Sequence, residues 1–129
     1  MALARIQVMR GETREQKQRL LRAVLSALVE ALEVPAGDPT VTLIEHDPED
    51  VLAPTHVSSG YTIVEITMFA GRSMDAKRRM YRAINRNLSA CEISPSDILI
   101  VVHEPTTENW AVHGGTPASE VDLGFRVDV

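Results

Sequence analysis

Residues 6–23 read "IQVMRGETREQKQRLLRA" and residues 66–83 read "ITMFAGRSMDAKRRMYRA". Laid one on the other, sixty places apart, Ile6 meets Ile66 and Gly11 meets Gly71. Lys17, Arg19, Arg22 and Ala23 meet Lys77, Arg79, Arg82 and Ala83 in the same register. The match runs on to Leu28 with Leu88 and Pro35 with Pro95; beyond it, with a small slip, "EHDP" (45–48) echoes "VHEP" (102–105). One unbroken register across a whole unit marks an internal duplication, which decides how everything else is read.

Each copy carries the same plan. An alternating stretch, "RIQVM" or "VEITMF", places Ile6 and Val8, or Val64, Ile66 and Met68, on one face of a strand. A glycine turn and a helix start follow: Thr13 with Gln16 three places on is a capping box, and Ser73 caps without that partner. The helix of the first copy shows an apolar stripe of Leu20, Leu21, Val24, Leu28 and Leu32; the second shows Met80, Tyr81, Ile84, Leu88 and Cys91. Pro35 and Pro95 are expected to end these helices, and Cys91 to be a buried structural thiol. A second strand follows in each copy, over residues 40–45 and 98–102.

Strand, helix, strand is a βαβ unit with parallel strands and a right-handed crossover. The predicted fold is therefore α+β: two fused βαβ units in one domain over 1–129, forming a four-stranded mixed sheet with two helices on one face. The repeat units are 1–48 and 61–105, a Pro-, Ser- and Gly-rich linker spans 47–61, and a tail without counterpart spans 104–129. In that tail a Gly-Gly turn precedes alternating Val121, Leu123, Phe125 and Val127, read as a short strand or hairpin packed on a neighbour. Sheets with parallel pairs are generally covered on both faces, so self-association is expected to supply the second cover. Arg5, Gln7, Glu65 and Thr67 on that second face keep a monomer with a wet sheet in play.

Composition closes off several functions. A net charge of −5 argues against general nucleic-acid binding. The single cysteine allows no internal disulfide, and no apolar run is long enough to span a membrane. With no signal peptide visible, a cytoplasmic protein is the default expectation. His46, His56, His103 and His113 lack metal-ligand spacing; His46 and His103 read as symmetric positions at strand ends. The turns "RGET" and "AGRS" each hold one glycine, too few for a nucleotide loop.

A strand that starts at the first residues, two fused βαβ copies and a Trp-bearing tail resemble the tautomerase superfamily. The stretches "VPAGDPTVTLIEH" and "RSMDAKRRMYRAI" resemble its malonate semialdehyde decarboxylase branch. The resemblance implies a homotrimer that handles small oxo acids without a cofactor or metal. It also implies an amino-terminal proline whose amine serves as base or acid; here Ala2 holds that place and offers a primary amine once Met1 is removed. The amine's ordinary pKa, about 7.7–8.0, falls in an apolar pocket or beside a cation, which makes it a usable base. Arg72 is the implied carboxylate anchor, although the branch carries a second arginine where this chain has Ala70. Asp38 matches the family's acidic helper, and Trp110 its aromatic wall residue. Each has a plainer reading: Arg72 as a turn residue capping its own loop, Asp38 as a turn former before Pro39, Trp110 as core or interface. The competing functional reading is an inactive trimer that binds small carboxylates or serves as a scaffold.

Overall fold

The computed structural model describes residues 1–127. Strand β1 (Ala2–Met9) leads into helix α1 (Arg14–Leu32) and strand β2 (Thr40–His46); strand β3 (Thr62–Met68), helix α2 (Met74–Ser89) and strand β4 (Ile98–His103) repeat the plan. The sheet order is β2-β1-β3-β4. Within each repeat the two strands are parallel, whereas β1 and β3 run antiparallel and join the repeats. Both helices lie on one face of this mixed sheet.

Local chemistry explains the element boundaries. The Thr13 hydroxyl accepts from Gln16 N at 3.1 Å while Thr13 N donates to the Gln16 side chain at 2.7 Å, so two orphan amides of α1 are satisfied reciprocally. Ser73 does half of this for α2, accepting from Ala76 N at 3.1 Å. Helix α1 stops with Glu33 in the left-handed region at φ 53, two residues before Pro35. Pro95 does not end α2. That helix stops at Ser89, where Glu92 turns left-handed at φ 69 and Ile93 N bonds back to Leu88 O at 3.2 Å; Pro95 instead opens a short 3-10 turn.

The core lies between helices and sheet. Ala2, Ala4, Ile6 and Val8 from β1 and Val64, Ile66 and Met68 from β3 meet Leu20, Val24, Leu28 and Leu32 of α1 and Met80, Ile84 and Leu88 of α2. Cys91 is only half-buried at the edge of this cluster, because the chain has already left the helix there. The duplication extends to ion pairs: Lys17 reaches Glu45 at 3.0 Å, and Lys77 pairs with Glu104 in the same way, each tying a helix to the strand end beneath it.

The other face of the sheet is open. Leu3 and Leu99 are each 45% exposed, and Ile44 and Val101 each 38%. A polar chain crosses all four strands there: His46 bonds Gln7 at 2.9 Å, Gln7 donates to Glu65, and His103 stands 3.7 Å from Glu65. The two histidines do end their strands, but they are not register mates. His46 lies beside Met9 and His103 beside Thr67, two places apart in the repeat.

The tail forms a hairpin earlier than its alternation suggests. Strands β5 (Ala111–Val112) and β6 (Thr116–Pro117) pair around His113, Gly114 and Gly115, all with positive φ. No strand forms over 121–127, since alternation without a neighbour leaves backbone groups unpaired. Phe125 packs on the chain's own core, and the last two residues of the predicted tail, Asp128 and Val129, lie outside the described residues.

Leu28 is fully buried where both helices meet the sheet. Leu28→Ala is expected to cost about 2–5 kcal/mol of unfolding free energy, read from urea denaturation followed by circular dichroism.

Candidate active site

The strand directions gather four chain segments at one end of the sheet. Ala2 pairs with Met68, Leu3 lies between Thr40 and Thr67, and Thr67 pairs with His103. So β1 and β2 begin where β3 and β4 end. The amino terminus, the turn before β2, the turn after β3 and the segment after β4 converge there. These four segments carry Ala2, Asp38, Arg72 and Trp110.

Ala2 is buried at 1% exposure, its methyl group turned into the core as the first apolar rung of β1. The amino group on Met1 lies 3.3 Å from an Asp38 carboxylate oxygen. Asp38 is placed by a turn in which its own N–H donates to Pro35 O at 3.0 Å. The amine's pKa is lowered from its ordinary 8.0, chiefly because burial disfavours the ammonium form. Asp38 pulls it back up by charge and hydrogen bonding, while the positive charge of Arg72 pushes it down. Carboxylate and guanidinium thus act on the amine with opposite sign.

Arg72 is a charged residue only 7% exposed. Its Nη1 donates at 2.7 Å to the carbonyl of Leu32, at the end of α1, a helix with no basic residue in its own last turn. A cation is favoured at that negative helix end. The second repeat therefore braces the first through Arg72, and the same contact fixes the guanidinium near the amine.

Trp110 packs edge-on against Phe69, with ring centroids 4.8 Å apart and planes at 65°. Phe69 follows Met68, the partner of Ala2, so the pair walls this end of the sheet. The indole N–H donates to Pro105 O at 3.3 Å, and the same carbonyl accepts from Ala70 N at 3.1 Å, locking the tail onto the end of β3. The sequence reading missed Phe69 as the indole's support, although it closes the alternating "VEITMF". Among the described residues no three His, Cys, Asp or Glu side chains cluster as a metal site. No helix there is long and apolar enough to cross a membrane.

Two models of the tautomerase enzyme family match this chain, over residues 41–113 and 3–59. The chain is 32% identical to FG41 malonate semialdehyde decarboxylase inhibited by 3-bromopropiolate, with a TM-score of 0.79 over 85% of this chain and 88% of that one. A second malonate semialdehyde decarboxylase, solved as wild type, as a proline-to-alanine mutant and inactivated, is 29% identical, with a TM-score of 0.78 over 85% and 89%. A fused 4-OT that is a symmetric trimer is 25% identical, with a TM-score of 0.83 over 91% and 96%.

The charge arrangement sets the sign of two shifts. The amine is expected to titrate below 8.0. Asp38→Asn lowers its pKa further and Arg72→Met raises it. A folded-state pKa below the unfolded one means that the unfolded chain binds more protons between the two values. The burial of this amine therefore costs stability at low pH, and the cost disappears as pH rises through 8.0. NMR titration of the isotopically labelled amine reads each shift directly.

Proposed function

The chain belongs to the tautomerase family, and we propose that it is a cofactor-free tautomerase or decarboxylase of small oxo acids. The observation that supports this reading is the amino terminus at the sheet end braced by Arg72, where the Met1 amine lies 3.3 Å from Asp38. With Met1 removed, the amine belongs to Ala2 at the start of β1. Ala2 is buried at that strand start, and burial disfavours an ammonium, which favours the neutral amine that a general base requires. Arg72 holds the substrate carboxylate. The amine takes a proton from the carbon beside the oxo group, an enolate forms, and the resulting ammonium returns the proton at a second position. In the decarboxylating variant, carbon dioxide leaves with its bond electrons remaining on the α-carbon, and the ammonium protonates that carbon. Asp38 supports the ammonium stage by charge and hydrogen bond. Trp110 on Phe69 limits water at the site, which strengthens every charge interaction within it. A primary amine lacks the rigidity of a proline ring, so activity is weak or altered relative to the malonate semialdehyde decarboxylases.

We place the protein in the cytoplasm, where an unpaired thiol such as Cys91 stays reduced. The assembly is a homotrimer. Its support is the open sheet face, with Leu3, Ile44, Leu99 and Val101 exposed, together with the trimeric fused 4-OT relative. The inactive carboxylate-binding scaffold is the competing reading.

Intact mass of the purified chain reports whether Met1 is present, and light scattering reports the number of chains in the assembly. Incubation with 3-oxopropanoate, phenylenolpyruvate and 2-hydroxymuconate, followed by proton NMR, reports turnover. Arg72→Met is expected to lower kcat/KM roughly 10- to 100-fold, the cost of losing one charge-assisted hydrogen bond. Asp38→Asn, which leaves α1 capped, serves as the folding-neutral companion and reduces turnover in the same direction. Equal turnover in wild type and both variants sinks the enzyme reading, and carboxylate binding without any turnover establishes the scaffold.

A further inference from the structure

The duplication creates a second end of the sheet, related to the first by the repeat register. Leu3 lies beside Thr40, and Ile63 beside Leu99. Asp97, two places before Leu99, therefore stands where Asp38 stands before Thr40. Sixty residues separate the other counterparts: Tyr61 for Met1, Thr62 for Ala2, Arg10 for Ala70 and Glu12 for Arg72. The chemistry differs at each point. The chain runs through Tyr61 as an ordinary peptide, so no amine exists there. Asp97 is 5% exposed and is saturated by Ser58, whose N–H donates at 2.8 Å and whose hydroxyl also donates; these bonds hold its carboxyl below its ordinary pKa. A Cβ on Gly60 would come within 3.1 Å of that carboxylate, so a side chain there would crowd the clasp.

A cleft of about 420 Å³ remains at this end, within the size range of small-molecule sites. Arg10 and Glu12 line it, with Met9, Pro48, Val51 and Ala53 supplying an apolar wall and Ser58–Gly60 closing it. The wall comes from the segment after β2, just as Trp110 comes from the segment after β4. Asp47 engages Arg10 at Nε, and among the described residues no hydrogen bond uses the two Nη groups. Glu12 lies just before the N-terminus of α1, where a carboxylate is favoured in its charged form.

We propose that this cleft is a second ligand site, without catalysis, for a small zwitterion: an α-amino acid with a short apolar side chain. A lone carboxylate is drawn to the Nη groups of Arg10 but repelled by Glu12 and by Asp47, which already pairs with that guanidinium; a lone amine is drawn to Glu12 and repelled by Arg10. A zwitterion satisfies both at once, with its carboxylate on the Nη groups of Arg10, its ammonium on Glu12 and its side chain against Met9, Val51 and Pro48. The inference does not depend on turnover at the first site.

Amide NMR of the full chain titrated with L-valine tests it, with 2-oxo-3-methylbutanoate and isobutylamine as analogues that each lack one charge. L-Valine is expected to shift Gly11 and Ser58–Gly60, and both analogues to bind there roughly tenfold more weakly or worse. Arg10→Met and Glu12→Gln each weaken L-valine by a similar factor, and Ala53→Phe, an exposed position, fills the cleft and abolishes the shifts. Unmoved Gly11 and Gly60 amides at saturating L-valine overturn the inference, as does equal binding of the oxo acid. Shifts at Gly71 and Trp110 with the oxo acid report the first site separately. Movement there alone leaves the proposed function standing without this site, and movement at Gly11 and Gly60 alone does the opposite.

Discussion

The antiparallel pairing of β1 with β3 is the constraint on which the rest depends. Each βαβ repeat, taken alone, exposes one edge of a two-stranded parallel sheet and half of a helix-covered core. Pairing Ala2 with Met68 and Val8 with Thr62 closes both at once. It sets the helices side by side, where Asn87 donates to Ala23 O at 3.0 Å and Arg86 reaches Glu30 at 2.6 Å. It also places the amino terminus of the first repeat against the last residues of the second repeat's strand. A parallel pairing of β1 and β3 would have put the amine at one end of the sheet and Arg72 at the other.

That geometry gives one residue two duties. Arg72 caps α1 through Leu32 O and, from the same position, depresses the basicity of the half-buried amine. The helix end supplies a partial negative charge and the protein interior supplies a low dielectric, so the guanidinium is worth more there than at the surface. Stability and charge placement are coupled at this residue, and a change at position 72 is felt by both.

Duplication also makes the two sheet ends informative about each other. Lys17 with Glu45 and Lys77 with Glu104 preserve the same ion pair in both repeats, because each anchors a helix to its own sheet. Asp38 and Asp97 hold matching places but not matching partners: one faces an amine and the other is bound by Ser58 of the linker. The difference follows from chain continuity. One strand is preceded by a terminus and the other by a peptide, so the carboxylate that serves an amine in the first repeat secures a linker in the second.

Much of this was legible in the residues. The sixty-place register, the alternation of Ile6 and Val8, the stripe from Leu20 to Leu32 and the caps at Thr13 and Ser73 are local patterns. Helix and strand periods write such patterns directly into sequence. Ala2, Asp38, Arg72 and Trp110 stand out through family resemblance. Their convergence, the bond from Arg72 to Leu32 O and the support of Trp110 by Phe69 depend on which strands pair and in what direction, a non-local choice. The same reason explains the misreadings. Pro95 looked like a helix stop, His103 like the mate of His46, and the stretch from Val121 like a strand, because each was judged without its neighbours. A backbone amide has the same appearance in sequence whether it meets a partner or none, and only the folded chain decides that.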